Sequence, residues 1–322
     1  MDGAERQLFE QAVRRATTTC SGDAAALDAA LDELGWHDAL ATERRTAIPV
    51  LFEAQGAAVA ASSALDHVVL GALGVDPGTG AGAVVLPPLG RWRPPGRLGA
   101  GLSAHGLGTS ALSRAAAALV VADTGEGAAA VSVPPEALAL RPVEGMDPWL
   151  GLVVVQAETD RMGPGVALAP DAWAAAVDEA RLALGHELVG AAGAMLDLAR
   201  VHALERVQFG RPIAAFQAVR HRLADTLVAV EAARALLGAA WDDRSSDTVA
   251  MAKAVAGRSA RLAARHCQQV LAGMGFTTEH PLHRYVRRVL VLDELFGSAR
   301  SLTGDLGRSL VAGGPLPAPV AL

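Results

Sequence analysis

The chain has 322 residues, 28 Lys and Arg against 34 Asp and Glu for a formal net charge of −6, and a composition that is 51% hydrophobic but only 4% aromatic. That length suits about two packed units with a sizeable core, and 19% charged residues in so apolar a chain excludes intrinsic disorder. Mild acidity argues against a nucleic-acid binder, which presents a basic face, and two cysteines, Cys20 and Cys267, cannot build a disulfide framework.

Residues 5 to about 72 read as helix. Leu8, Phe9, Val13 and Ala16 recur at helical spacing, as do Leu27, Leu31 and Leu34, and the apolar stretch from Ala47 to Leu73 has no proline after Pro49. Ser21-Gly22-Asp23 breaks the run, with Ser21 or Asp23 as a cap for the next helix. From Pro77 to about Pro164 the chain turns rich in Gly and Pro, with strand-length runs AVVL (83–86), ALVVAD (118–123), AAVSV (129–133) and LGLVVVQAE (150–158). Four long helical segments follow, from about Asp171 to Arg206, Ala214 to Arg244, Asp247 to Met274 and Pro281 to Val311. Long antiparallel helices of this kind make a bundle.

The expected architecture is therefore mostly α with a small β-domain: an N-terminal helical domain (1–76), a shortened β-domain (77–165), a C-terminal four-helix bundle (166–314) and a tail (315–322). The abundance of Ala and Gly predicts closely packed helices that are easily overfilled. Arg, Asp and Gly punctuate the Ala-rich stretches, leaving no uninterrupted run of membrane-spanning quality, and MDGAERQLFEQAVRR lacks the apolar core of a signal peptide. The expectation is a soluble cytoplasmic protein with neither membrane nor nucleic acid as a partner.

Few motifs could carry chemistry. Gly78-Thr-Gly80-Ala-Gly82 matches the spacing of a phosphate loop, but Val-Val-Leu-Pro-Pro follows it where a helix N-terminus is needed, so it reads as a linker. His280 and His283 have too little company for zinc, which takes three or four ligands. Asp293-Glu294 is an acidic pair inside the apolar segment VLVLDELFG; adjacent helical residues point about 100° apart, so both cannot face one site, and the ordinary reading is that both are solvated. The strongest local signal is ERVQFGRPIAAFQAVRHRLAD (205–225): a helix ending at Gly210, a turn with Pro212, and a new amphipathic helix from near Ala214. Arg206 and Arg211 flank Phe209 there, which suits an anion site with an aromatic platform or, more simply, two arginines capping helix carbonyls.

At this segment the chain resembles the acyl-CoA dehydrogenase family. Glu205-Arg206-x-Gln208-Phe209-Gly210-x-Pro212-Ile213-x-x-Phe216-Gln217, then Leu223-Ala224-Asp225, is similar to the family's signature. Ala252-Lys253-Ala254, Gln269-x-x-x-Gly273-x-Gly275-Phe276, Glu279-x-Pro281, Arg287 and, near the start, Glu33-Leu34-Gly35-Trp36 extend the likeness in order. It covers the whole chain, being specific over 175–290 and thin over 80–165. In that family FAD lies at a subunit interface. The resemblance thus implies that Arg206, Gln208, Phe209, Phe216, Gln269 and Gly273 touch the FAD of a partner subunit.

The departures concern catalysis. The family's base is a Glu that removes the α-proton of the acyl thioester, usually in a Tyr-Glu-Gly-Thr motif on the last helix. Counted from Arg287, that motif falls on Leu295-Phe296-Gly297-Ser298, so Phe296 stands at the base position; the alternative slot on the first bundle helix falls on Ala180, before Arg181. Neither Phe nor Ala can accept a proton. Glu294 and Glu179 lie two and one residues off these slots. The family's own-flavin motifs are missing as well: Leu86-Pro87-Pro88-Leu89 stands near one, and Gly108-Thr109-Ser110 is at most a remnant of the other.

The resemblance implies one subunit of a heteromeric acyl-CoA dehydrogenase with no catalytic residue of its own, similar to actinobacterial enzymes acting on steroid side-chain CoA thioesters, where two unlike chains form an α2β2 tetramer. A partner subunit would supply the Glu and most of the flavin pocket, the substrate would be an acyl-CoA, and electrons would leave to an electron-transfer-flavoprotein-type acceptor. The alternatives are a homo-oligomer with a displaced base, Glu294 or Glu179, and an inert scaffold subunit.

Overall fold

The computed structural model describes residues 3–75 and 81–314. The Gly78 and Gly80 positions of the expected linker and the tail 315–322 lie outside them. The N-terminal part is five helices, α1 (Gly3–Thr19), α2 (Ala24–Glu33), α3 (Trp36–Thr42), α4 (Arg44–Ala58) and α5 (Ala64–Ala72), so the expected helical run is interrupted more often than at Gly22 alone. Asp23 caps α2 as expected, accepting a hydrogen bond from the Ala26 amide.

The middle part is one sheet. Its strands are β1 (Ala81–Val84), β2 (Gly96–Leu98), β3 (Leu102–Gly108), β4 (Ala117–Asp123), β5 (Ala128–Val133), β6 (Ala139–Pro142), β7 (Val153–Thr159) and β8 (Val166–Ala167). They run in the order β6-β7-β3-β2-β4-β5-β8, with β1 pairing β4 in parallel. Sequence periodicity located β1, β4, β5 and β7 but missed β2, β3, β6 and β8. LSAHGLG carries two glycines and a histidine, a poor strand by propensity, yet it pairs with β7 along its whole length.

The bundle is built from α6 (Ala172–Glu205), α7 (Gln217–Asp243), α8 (Ser246–Leu271), α9 (Leu282–Glu294) and α10 (Ala299–Val311). The expected fourth helix is thus two helices. The chain leaves helical geometry at Leu295, passes through Phe296 (φ +55°) and Gly297 (φ +102°), and restarts with Ser298 capping the Ser301 amide. α6 is long and apolar enough by length and composition to cross a membrane, but most of it is buried here as the central helix of the bundle.

Ala and Gly set the packing. A Cβ on Gly190 of α6 would lie 2.2 Å from the Glu53 carbonyl oxygen, and one on Gly56 of α4 would lie 2.0 Å from that of Glu187. These two helices therefore meet backbone to backbone, at a distance that only glycine permits. One core joins the helices to one face of the sheet, and a second fills the other face around Leu112, Val120 and Val155.

Candidate flavin interface and base position

α6 ends at Glu205, not at Gly210. The chain then reverses through a tight hairpin, β9 (Val207–Gln208) and β10 (Arg211–Pro212), before α7. Its two-residue loop, Phe209-Gly210, has φ of +52° and +76°. Both central residues at positive φ mark a type I′ turn, whose twist matches that of paired strands. Gly210 adopts this freely; for Phe209 the left-handed conformation costs about 1–2 kcal/mol. The reward is not burial, because the ring is 92% exposed. It is held edge-on to Phe216 (6.0 Å, 82°), and the Arg211 guanidinium lies 4.5 Å over the Phe216 ring. Arg206 is exposed beside the hairpin with no carboxylate within 4 Å among the described residues, and the Gln208 side chain is also exposed.

Gln269 and Gly273 sit at the end of α8, both exposed, and nothing approaches within 4 Å of a Cβ built on Gly273. That end of α8 lies beside the start of α7, since the His266 ring meets Thr226 Oγ1 (3.0 Å) and the Arg222 carbonyl (3.2 Å). His280, just past the α8 turn, has its pKa lowered by burial and then by His202, in the last turns of α6, and His283. The six positions expected at the flavin therefore fall on one end of the bundle, presenting a guanidinium, amides and an aromatic ring. The exposed apolar Met274 and Phe276 share the α8 turn.

The base position is different in kind. Phe296 is 1% exposed, part of the main core. Arg181 Nε donates to its carbonyl (3.2 Å), the Arg181 guanidinium lies 5.3 Å over Trp92, and Trp173 Nε1 donates to the Trp92 carbonyl (2.9 Å). Lys253, fully buried on α8, donates to the carbonyls of Leu292 (3.1 Å), Asp293 (3.0 Å) and Gly297 (3.4 Å), fixing the turn that carries Phe296. Burial pulls its ammonium down to about 8. Nothing in the sequence marked this clamp beyond the Ala-Lys-Ala match; only the fold brings Lys253 to α9.

Neither displaced base is free. Glu179 is buried in ion pairs with Arg244 and with Arg44 (3.7 Å). Glu294 is half-buried at the rim and pairs with Arg261 (3.7 Å). Its neighbour Asp293 is not solvated as expected: its side chain is buried, takes Arg261 Nε at 2.7 Å and accepts from the Ala299 amide at 3.0 Å. Ala180 is fully buried. In the β-domain, Thr109 is used internally, donating to Asp66 Oδ2 (2.6 Å) and capping the Ala111 amide, and Leu86 pairs main chain to main chain with Leu107. His280 and His283 belong to no group of three or more potential metal ligands among the described residues.

Residues 171–311 match the acyl-CoA dehydrogenase C-terminal domain. Over the whole length the fold superposes on the ChsE4–ChsE5 complex of Mycobacterium tuberculosis (TM-score 0.81, 25% identity, 99% of each chain). The bundle, residues 171–311, is thus an acyl-CoA dehydrogenase C-terminal domain. A variant of the Tcur3481–Tcur3483 steroid ACAD has the same fold (TM-score 0.82, 23% identity, 97% of this chain and 99% of that one). Among curated acyl-CoA dehydrogenases, IpdE2 of Mycobacterium tuberculosis is 36% identical over 162 residues, which is 50% of this chain and 49% of the relative. The chain thus spans about half the length of the curated relatives it matches.

Proposed function

We propose that this chain is a subunit of a heteromeric, flavin-dependent acyl-CoA dehydrogenase that completes the FAD site of a partner subunit and has no base of its own. The observation that carries this reading is a contrast between two sites: the hairpin keeps Phe209 exposed in a strained turn, whereas the base position is filled by a buried Phe296. Strain that gains nothing within the chain is expected where a residue serves a ligand or partner.

The donor set fits the nucleotide end of a flavin. Arg206 has no counter-charge within 4 Å among the described residues, Gln208 and Gln269 offer amides, and Phe209 offers a ring. It does not fit a flavin ring held by this chain's own β-domain, because Thr109 and Leu86 are already satisfied internally. A bound FAD supplies the two-electron acceptor for α,β-dehydrogenation of an acyl-CoA. This chain's residues would bind and orient: Arg206 and the two glutamines would hold the phosphates and Phe209 would offer the adenosine a ring, while Lys253 with Arg181 keeps Phe296 in place of a base. The likeness to the ChsE4–ChsE5 complex and to a steroid ACAD supports an unlike partner and a steroid-derived CoA thioester as substrate; an electron-transfer flavoprotein as acceptor and the cytoplasm as location complete the proposal.

Visible absorption tests this directly. The chain purified alone should be colourless, and the complex co-expressed with a neighbouring dehydrogenase-like gene yellow. In that complex Arg206→Ala should lose FAD while the subunits stay together. Stoichiometric FAD on the lone chain, or full FAD retention by the variant complex, would refute the reading.

A further inference from the structure

Arg288 of α9 is buried where all three parts of the fold meet. Its Nε donates to Asp147 Oδ2 (2.5 Å), in the loop between β6 and β7, and its Nη1 to Glu187 Oε1 of α6 (3.3 Å). Nη1 and Nη2 also reach the carbonyls of Ala60 (2.5 Å) and Val59 (3.4 Å), just beyond α4. The Arg288 and Asp147 side chains are each 0% exposed and that of Glu187 5%. One guanidinium thus faces two carboxyls out of reach of water, while the only groups α4 brings are carbonyl oxygens, which themselves favour positive charge. Both carboxyls ionised would leave a net negative charge in the interior, where an uncompensated charge is expensive. Asp147 Oδ1 is buried without a hydrogen-bond partner, so this carboxyl is only partly compensated.

We propose that Arg288, Asp147 and Glu187 form a proton-linked clasp, in which the closed fold keeps the Glu187 carboxyl protonated beside the Arg288–Asp147 pair and loss of that proton to solvent favours release of the 144–151 loop from the bundle. The direction of Glu187 agrees. Burial raises its carboxyl to about 7, with Arg288 opposing and Asp147 adding to the shift. Apart from the clasp, the loop is held by Leu150 packing against the core and by Trp149. Beyond Asp147 it presents Met146 and Trp149, the latter 43% exposed, with Arg284 and Arg287 near the indole ring and His283 edge-on. The clasp would therefore control whether this aromatic and basic surface is displayed as built. It does not depend on the flavin reading.

Hydrogen exchange of the full chain, followed in peptides spanning 144–151 from pH 5 to 8.5 and corrected for chemical exchange, tests the clasp. An opened loop releases the Glu187 carboxyl to its ordinary value of 4.5, whereas the closed fold holds it near 7. The opening constant should therefore rise about tenfold per pH unit between about 5 and 7 and level off above. Glu187→Gln, a neutral isostere, should fold and give a flat profile, as should Asp147→Asn. A flat wild-type profile refutes the clasp without any variant. So does a Glu187→Gln chain that keeps the wild-type slope, or one that cannot fold at pH 7, because the proposal requires a neutral group to fit there.

Discussion

Lys253→Met removes the clamp on the Phe296 turn at nearly constant volume. Lys253 donates to three carbonyls, two of them in the last turn of α9, where no intrahelical donor is available. A bond from a charged donor contributes about 1.5–3 kcal/mol, and each buried acceptor left unpaired costs about 1–3 kcal/mol. Against this, the substitution relieves the desolvation that holds the ammonium down to about 8. The balance is a loss of about 2–4 kcal/mol, set by buried carbonyls left without a donor. Urea unfolding of the full chain, monitored by circular dichroism at pH 7, measures it. A loss below about 1 kcal/mol would refute the argument, showing that the carbonyls find other donors or that the ammonium gives no net stabilisation.

Phe296→Glu should give no measurable acyl-CoA oxidation by the lone chain, because the own-flavin donors are committed elsewhere; turnover without a partner would refute the vestigial reading. Gly190→Ala should cost about 3 kcal/mol or more, since the new methyl meets backbone that cannot step aside. Gly238→Ala on the exposed face of α7, where nothing lies within 4 Å, should stabilise by about 0.5–1 kcal/mol; equal effects at the two sites would refute the packing account. Stability should also fall as pH rises from 5 to 6.5. Burial lifts Asp66 and Glu187 to about 7, so each contributes stability that is complete below its ordinary value and lost on approaching 7. His67, lowered to about 4 by burial, works the other way between 4 and 6.5. The two carboxyls against His67 leave a net loss of up to about 1.4 kcal/mol per pH unit, reduced by His202 and His280, which burial also lowers; it is readable as a falling urea midpoint, and a rising midpoint would contradict the sign.

The sequence by itself determined the order of helices, sheet and bundle, because helical spacing in segments such as Ala214 to Arg244 is a local signal about one buried face. It also determined the family likeness and the expected flavin-facing positions, which lie within two short continuous runs, 206–216 and 269–273. It could not show that Phe209 stands in a left-handed turn. Hairpin pairing decided that, and a Phe-Gly pair is not the Asn-Gly that would have announced it. It read 281–311 as one helix because VLVLDELFG is apolar apart from Asp293 and Glu294 and carries no proline. The break at Leu295 is imposed by partners far along the chain, Lys253 and Arg181, which hold the carbonyls of Asp293, Phe296 and Gly297. Asp293 looked solvated and is buried because Arg261 of α8 supplies its counter-charge. Asp147 and Glu187 lie 141 and 101 residues from the Arg288 guanidinium they share. Local periodicity carries information about which face is buried, but charge pairing across the core depends on which distant elements are brought together, and only the tertiary structure decides that.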